Sequence, residues 1–87
     1  MSFPTPVPVD ALLAIFRWVL ETDDVSPSTN FFEAGGDSLL ATRVLSLVAR
    51  DHGVELGFDE FVCHADPAAL AGLVGRLLSG EPAGSPS

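Results

Sequence analysis

Apolar residues recur at intervals of three and four in three segments of this chain, and nowhere alternate with period two over the length of a strand. That pattern constrains the fold more than any other feature, because a chain without strand periodicity must bury its apolar stripes helix against helix. The first segment predicts a helix over roughly Val9 to Thr22, with Leu12, Ile15, Phe16, Val19 and Leu20 on one arc. Asp10 stands there as a cap or first-turn acid, suited to the positive end of the helix dipole. Trp18 falls at the edge of the arc, where an aromatic is either a half-buried core flank or an exposed partner contact, and the flank is the commoner fate.

The second helix is expected from Ser38 to Asp51 or His52, with Gly53 as its stop. Leu40, Ala41, Val44, Leu45, Leu47 and Val48 form its apolar arc. Leu39, Thr42, Arg43, Ser46 and Arg50 form the opposite one, so Leu39 is an apolar residue on a polar face. Phe58 to Val62 predicts one short helical turn with Phe58, Phe61 and Val62 inward. Asp66 reads as an N-cap with Pro67 at the first helical position of a last helix running to about Ser79. Leu70, Leu73, Val74 and Leu77 share its inner face. The expected fold is all-α, a four-helix bundle of three main helices and a short third one. Residues 1–8 read as an extended proline-rich leader, 9–79 as the domain, and 80–87 as a flexible Gly/Pro/Ser tail.

Size and charge narrow the function. With 87 residues the chain makes one small domain, in which an enclosed substrate cleft of roughly 300 Å³ or more is not expected. Four arginines and no lysine face 12 acids, for a net charge of −8. That balance disfavours nucleic acid and anionic membrane surfaces, and favours protein partners. No apolar run approaches the ~20 residues of a membrane span, and no basic-then-apolar leader marks secretion, so the cytoplasm is the expected compartment. The single cysteine, Cys63, has no partner for an internal disulfide and reads as a small core thiol. Cys63, His64 and His52 lack the spacing of a zinc site, so no metal is expected.

Chemistry concentrates in the long connection before the second helix. Asp23 to Asp37 is longer than most loops in compact domains, and such loops are often functional. Phe31 and Phe32 are expected to pin it to the core. It ends in Gly35-Gly36-Asp37-Ser38. Paired glycines allow backbone geometry that a side chain forbids and let a partner approach closely. Ser38 then opens a helix, where unpaired N–H groups and the dipole favour an anion such as a phosphate ester. The plainer reading is that Asp37 and Ser38 are caps only.

The whole segment, FFEAGGDSLLA from Phe31 to Ala41, resembles the phosphopantetheine attachment site of carrier proteins, and more closely the peptidyl or aminoacyl carrier domains of nonribosomal peptide synthetases. Leu12 to Leu20 and Asp66 to Leu77 are similar to the family's first and last helices. Ala34 departs from the family's usual Leu, Asp37 stands where many relatives have His, and Trp18 occupies a position that is often polar.

The resemblance implies 4′-phosphopantetheine, derived from coenzyme A, on Ser38, with Gly36 and Asp37 beside it. It implies a monomeric carrier with no catalysis of its own, which holds aminoacyl or peptidyl thioesters. Its partners would be a phosphopantetheinyl transferase, an adenylation enzyme, and condensation, tailoring or thioesterase enzymes. Leu39, Arg43, Ser46 and Trp18 are the candidate partner contacts. Carriers of fatty-acid synthesis have an acidic second helix, so the arginines here point to the peptide-synthetase branch. Both a free-standing protein and an excised domain fit the chain.

Two rivals differ in class. Gly36-Asp37-Ser38-Leu39 also matches the GDSL hydrolase signature, but hydrolysis needs a histidine base and an orienting acid near Ser38. An unmodified helical adaptor is the other, and it leaves the paired glycines without a purpose.

Overall fold

The computed structural model describes residues 7–78 and Gly80. The helices run in the order α1 (Val9–Leu20), α2 (Ser38–His52), α3 (Phe58–Cys63) and α4 (Pro67–Leu78). No strand occurs among the described residues. Most of the 1–8 leader and of the 80–87 tail lies outside them, as does Ser79.

Each main helix ends where local chemistry dictates. α1 starts after Pro8, whose φ of −62° suits a helix entry, with Asp10 in the first turn rather than as a cap. It stops at Leu20, two residues before the expected end, because Glu21 turns left-handed at φ 55°. Gly53 ends α2 in the same conformation at φ 69°, at no steric cost. Asp66 caps α4, its Oδ1 accepting the Ala69 N–H at 2.7 Å.

Three phenylalanines from different elements form the centre. Phe16 of α1, Phe31 of the long connection and Phe61 of α3 are all fully buried. Phe31 meets both Phe16 and Phe61 edge-on with centroids 5.2 Å apart. Leu12, Val44, Val48, Leu70, Leu73 and Val74 close the core around them. Among the described residues no side-chain nitrogen or oxygen is buried without a hydrogen bond.

Four inward assignments fail. Trp18 is 76% exposed, so it is not a core flank. It lies one residue outside the arc that Ile15, Phe16 and Val19 bury. Phe58 and Val62 are 40% and 47% exposed, leaving Phe61 as the buried residue of α3. A helix of six residues turns less than twice, and one inward position is all this one provides. Cys63 ends that helix exposed, not in the core.

Candidate functional site

The long connection is held at several points. Phe31 N–H donates to the Ala65 carbonyl at 2.8 Å, and Ala68 N–H to the Pro27 carbonyl at 3.0 Å, fastening it to the start of α4. Asn30 Oδ1 accepts the N–H groups of Phe32 and Glu33 at 2.9 and 3.1 Å, opening a tight turn over residues 31–35. The turn closes as a Schellman motif: Gly36 N–H donates to the Phe31 carbonyl at 2.9 Å and Gly35 N–H to that of Phe32 at 3.4 Å.

The two glycines have separate reasons. Gly35 takes the left-handed position of that motif, at φ 106° with open space around it. Gly36 instead packs on Phe31: a Cβ there would overlap the Phe31 ring and lie 2.7 Å from its carbonyl oxygen. The fold itself therefore demands both glycines, and room for a partner is not needed to explain them.

Beyond Gly36 the chain extends at Asp37 and enters α2. Asp37 Oδ1 accepts the Leu40 N–H at 2.9 Å, the cap expected from the sequence. Ser38 is the first helical residue and is exposed. Its Oγ makes no hydrogen bond to another described residue, and the N–H groups of Ser38 and Leu39 have no acceptor among them either. A free nucleophilic hydroxyl and two free donors thus share the positive end of a 15-residue helix. The Ser38 carbonyl is engaged further in, accepting the Thr42 hydroxyl at 3.0 Å.

The polar face of α2 is as expected. Leu39 is 69% exposed, with Thr42, Arg43 and Ser46 exposed along the same side. Trp18 of α1 and Leu39, Arg43 and Ser46 of α2 line one cavity of about 250 Å³, so the tertiary fold brings together four residues from two separate helices. Arg50, further along α2, pairs with Asp51 at 3.0 Å. Sequence reasoning misses Arg17, which lines a neighbouring cavity with Trp18 and Arg43. Its signal is its place, since it precedes Trp18 on the outward side of α1.

The hydrolase reading finds no support. Its fold requires strands, and the described chain has none. No hydrogen bond joins a histidine to Ser38 among the described residues. His52 lies at the opposite end of α2, about 21 Å from Ser38 at 1.5 Å per residue. His64 is bonded through Nδ1 to the Glu60 carbonyl at 2.9 Å. No group of three or more His, Cys, Asp or Glu side chains among the described residues could hold a metal ion.

Residues 10–74 match the protein family described as "Phosphopantetheine attachment site". The chain belongs to that family of carrier domains, whose prosthetic group is covalently bound phosphopantetheine. It is 42% identical over 77 residues to a linear gramicidin synthase of Brevibacillus parabrevis, covering 87% of this chain and 2% of that protein. Among solved structures it resembles McyG A-PCP complexed with phenylalanyl-adenylate, at TM-score 0.71 and 26% identity over 88% of this chain and 12% of the other. The solution structure of a docking domain complex of the Pax NRPS, PaxA T1-CDD/PaxB NDD, shares the fold at TM-score 0.73 and 24% identity, over 93% of this chain and 82% of the other. The chain spans 1–2% of the length of the curated relatives it matches.

The residues present fit the family's group. A phosphodiester on an exposed hydroxyl needs an unobstructed oxygen and donors for its negative charge, and Ser38 offers both.

Proposed function

We propose that Ser38 Oγ is the point to which phosphopantetheine is attached, and that the chain is a peptidyl or aminoacyl carrier domain of nonribosomal peptide biosynthesis. The observation that carries this reading is the free Ser38 hydroxyl at the first position of α2, behind a turn braced by Phe31 and Gly36. Similarity to linear gramicidin synthases and to an adenylation–carrier pair supports the peptide branch.

When bound, the group supplies a thiol that holds an acyl or aminoacyl unit as a thioester. The chain's own residues supply the rest. In the active site of a phosphopantetheinyl transferase, Ser38 Oγ would attack the pantetheine-side phosphorus of coenzyme A: the new O–P bond forms as the diphosphate P–O bond breaks, adenosine 3′,5′-bisphosphate leaves, and the hydroxyl proton passes to the transferase. Asp37 keeps the first turn of α2 closed, and its second carboxylate oxygen remains available to the transferase's metal ion. Gly36 fixes the distance between Ser38 and the core. The free N–H groups of Ser38 and Leu39 offset the charge of the phosphodiester.

The carrier adds no acid or base to later steps. Its contribution is tethering, which makes each encounter with a partner enzyme effectively intramolecular. Leu39, Arg43, Ser46 and Trp18 form the surface on which partners land. An adenylation enzyme loads the arm, and condensation, tailoring or thioesterase enzymes act on its cargo. The protein works as a monomer in the cytoplasm, bound to neither nucleic acid nor membrane. No helix among the described residues is long and apolar enough to cross a bilayer.

Mass spectrometry after incubation with coenzyme A and a promiscuous transferase tests the assignment. A gain matching phosphopantetheine, absent in Ser38→Ala, is expected. No gain in the unaltered chain, or a gain that persists in Ser38→Ala, overturns it.

A further inference from the structure

Trp18 stands where three shallow cavities meet. One of about 520 Å³ runs along α1 and the far half of α2, past Ala11, Ala14 and Leu47. The second, of about 250 Å³, leads to Leu39 and so to the residue beside Ser38. The third, of about 320 Å³, opens between Arg17 and Arg43. Together they make a groove between α1 and α2 with an exposed indole at its middle. Trp18 and Leu39, 76% and 69% exposed, line the same cavity, and a shared exposed apolar patch of this kind is the make-up of an interaction surface.

The charge around the groove is unlike that of the rest of the chain. Its walls hold three of the four arginines, Arg17, Arg43 and Arg50, against two acids, Glu21 and Asp51, for a net charge of +1 within a chain of −8. Arg50 is paired with Asp51. Arg17 and Arg43 are exposed and form no ion pair with a described residue. An apolar centre flanked by unpaired arginines has the make-up of a recognition hot spot. A negatively charged partner is drawn to this groove and repelled by the remaining surface, which also fixes its orientation.

We propose that the Trp18 groove docks an acidic amphipathic helix of a partner protein, its apolar ridge against Trp18 and its carboxylates on Arg17 and Arg43. This rests on the reading of the Trp18–Leu39 face as a partner surface and adds the partner's chemistry. A helix laid in the groove between two others follows a common recognition mode. α1 is 12 residues, about 18 Å, long enough to receive several turns of it.

Trp18 is the chain's only tryptophan, so its emission reports on the groove alone. The probe is a synthetic tryptophan-free amphipathic peptide with a leucine ridge and glutamates elsewhere, compared with its counterpart bearing lysine for each glutamate. Both are titrated into the full chain before and after phosphopantetheine attachment, with attachment checked by mass. The glutamate peptide is expected to shift Trp18 emission to shorter wavelength, saturably, and less as ionic strength rises. Arg17→Glu combined with Arg43→Glu is expected to weaken that binding at least about tenfold while leaving the helical circular dichroism unchanged. An equal or larger shift with the lysine peptide assigns the groove to a basic partner and overturns the proposal. A shift produced by attachment alone, with no further response to the glutamate peptide, assigns it to the arm and also overturns it. Attachment at Ser38 with no response of Trp18 to the glutamate peptide overturns the docking proposal and leaves the carrier reading standing.

Discussion

Gly36 lies directly against Phe31, its N–H on the Phe31 carbonyl at 2.9 Å and its Cα facing the ring so closely that no Cβ fits. Phe31 is fully buried between Phe16 and Phe61, so the ring has nowhere to retreat. The position of Ser38, two residues on, is in this way referred to the centre of the core.

Gly36→Ala is therefore expected to cost about 2–3 kcal/mol of stability, the upper part of the range for overpacking a well-packed core. Gly35→Ala meets only the conformational penalty of its positive φ and should cost about 1 kcal/mol. Urea denaturation of the two variants checks the order. Equal losses would mean that the Phe31 contact yields easily.

Asp37→Ala removes the cap on Leu40 N–H and is expected to cost about 1 kcal/mol, whereas Asp37→Asn keeps the accepting oxygen and most of the stability. Rates of phosphopantetheine attachment separate the cap from a role toward the transferase. A metal-binding role predicts slow attachment in both variants, a cap alone only in the alanine one.

Leu39→Asp should leave helicity intact, since Leu39 is 69% exposed on α2, and should slow attachment or aminoacyl loading. Circular dichroism and loading kinetics give the two readouts. Unaltered rates with every partner tested would remove Leu39 from the docking surface.

Glu21→Gly is expected to stabilise the fold by up to about 1 kcal/mol, because a non-glycine residue there holds φ at 55° to end α1. Thermal unfolding measures it. A lower melting temperature would show that Glu21 contributes more through its side chain than it costs through its backbone.

Phe61→Ala opens the middle of the aromatic cluster and is expected to cost about 3–5 kcal/mol, against less than about 1 kcal/mol for Val62→Ala, whose side chain is half in solvent. Similar losses at the two positions would contradict the burial that distinguishes them.

What the sequence determined by itself was local. Helix periodicity, the caps at Asp37 and Asp66, the stop at Gly53 and the FFEAGGDSLLA pattern by which the chain resembles its family are all set by residues within a turn or two of one another. Such short-range signals survive without knowledge of the fold. α3 is poorly legible because six residues are too few for a period to show which side faces inward, and so Phe58, Val62 and Cys63 read as inward when they lie outside. Tertiary structure alone decided three things. It set the Phe31 ring against Gly36, so that packing explains a glycine that local reasoning assigns to partner approach. It left Trp18 in solvent, because the α1 arc was already filled by Ile15, Phe16 and Val19. And it brought Arg17 and Trp18 beside Arg43, residues that share no local pattern because they sit on two helices joined by the long connection.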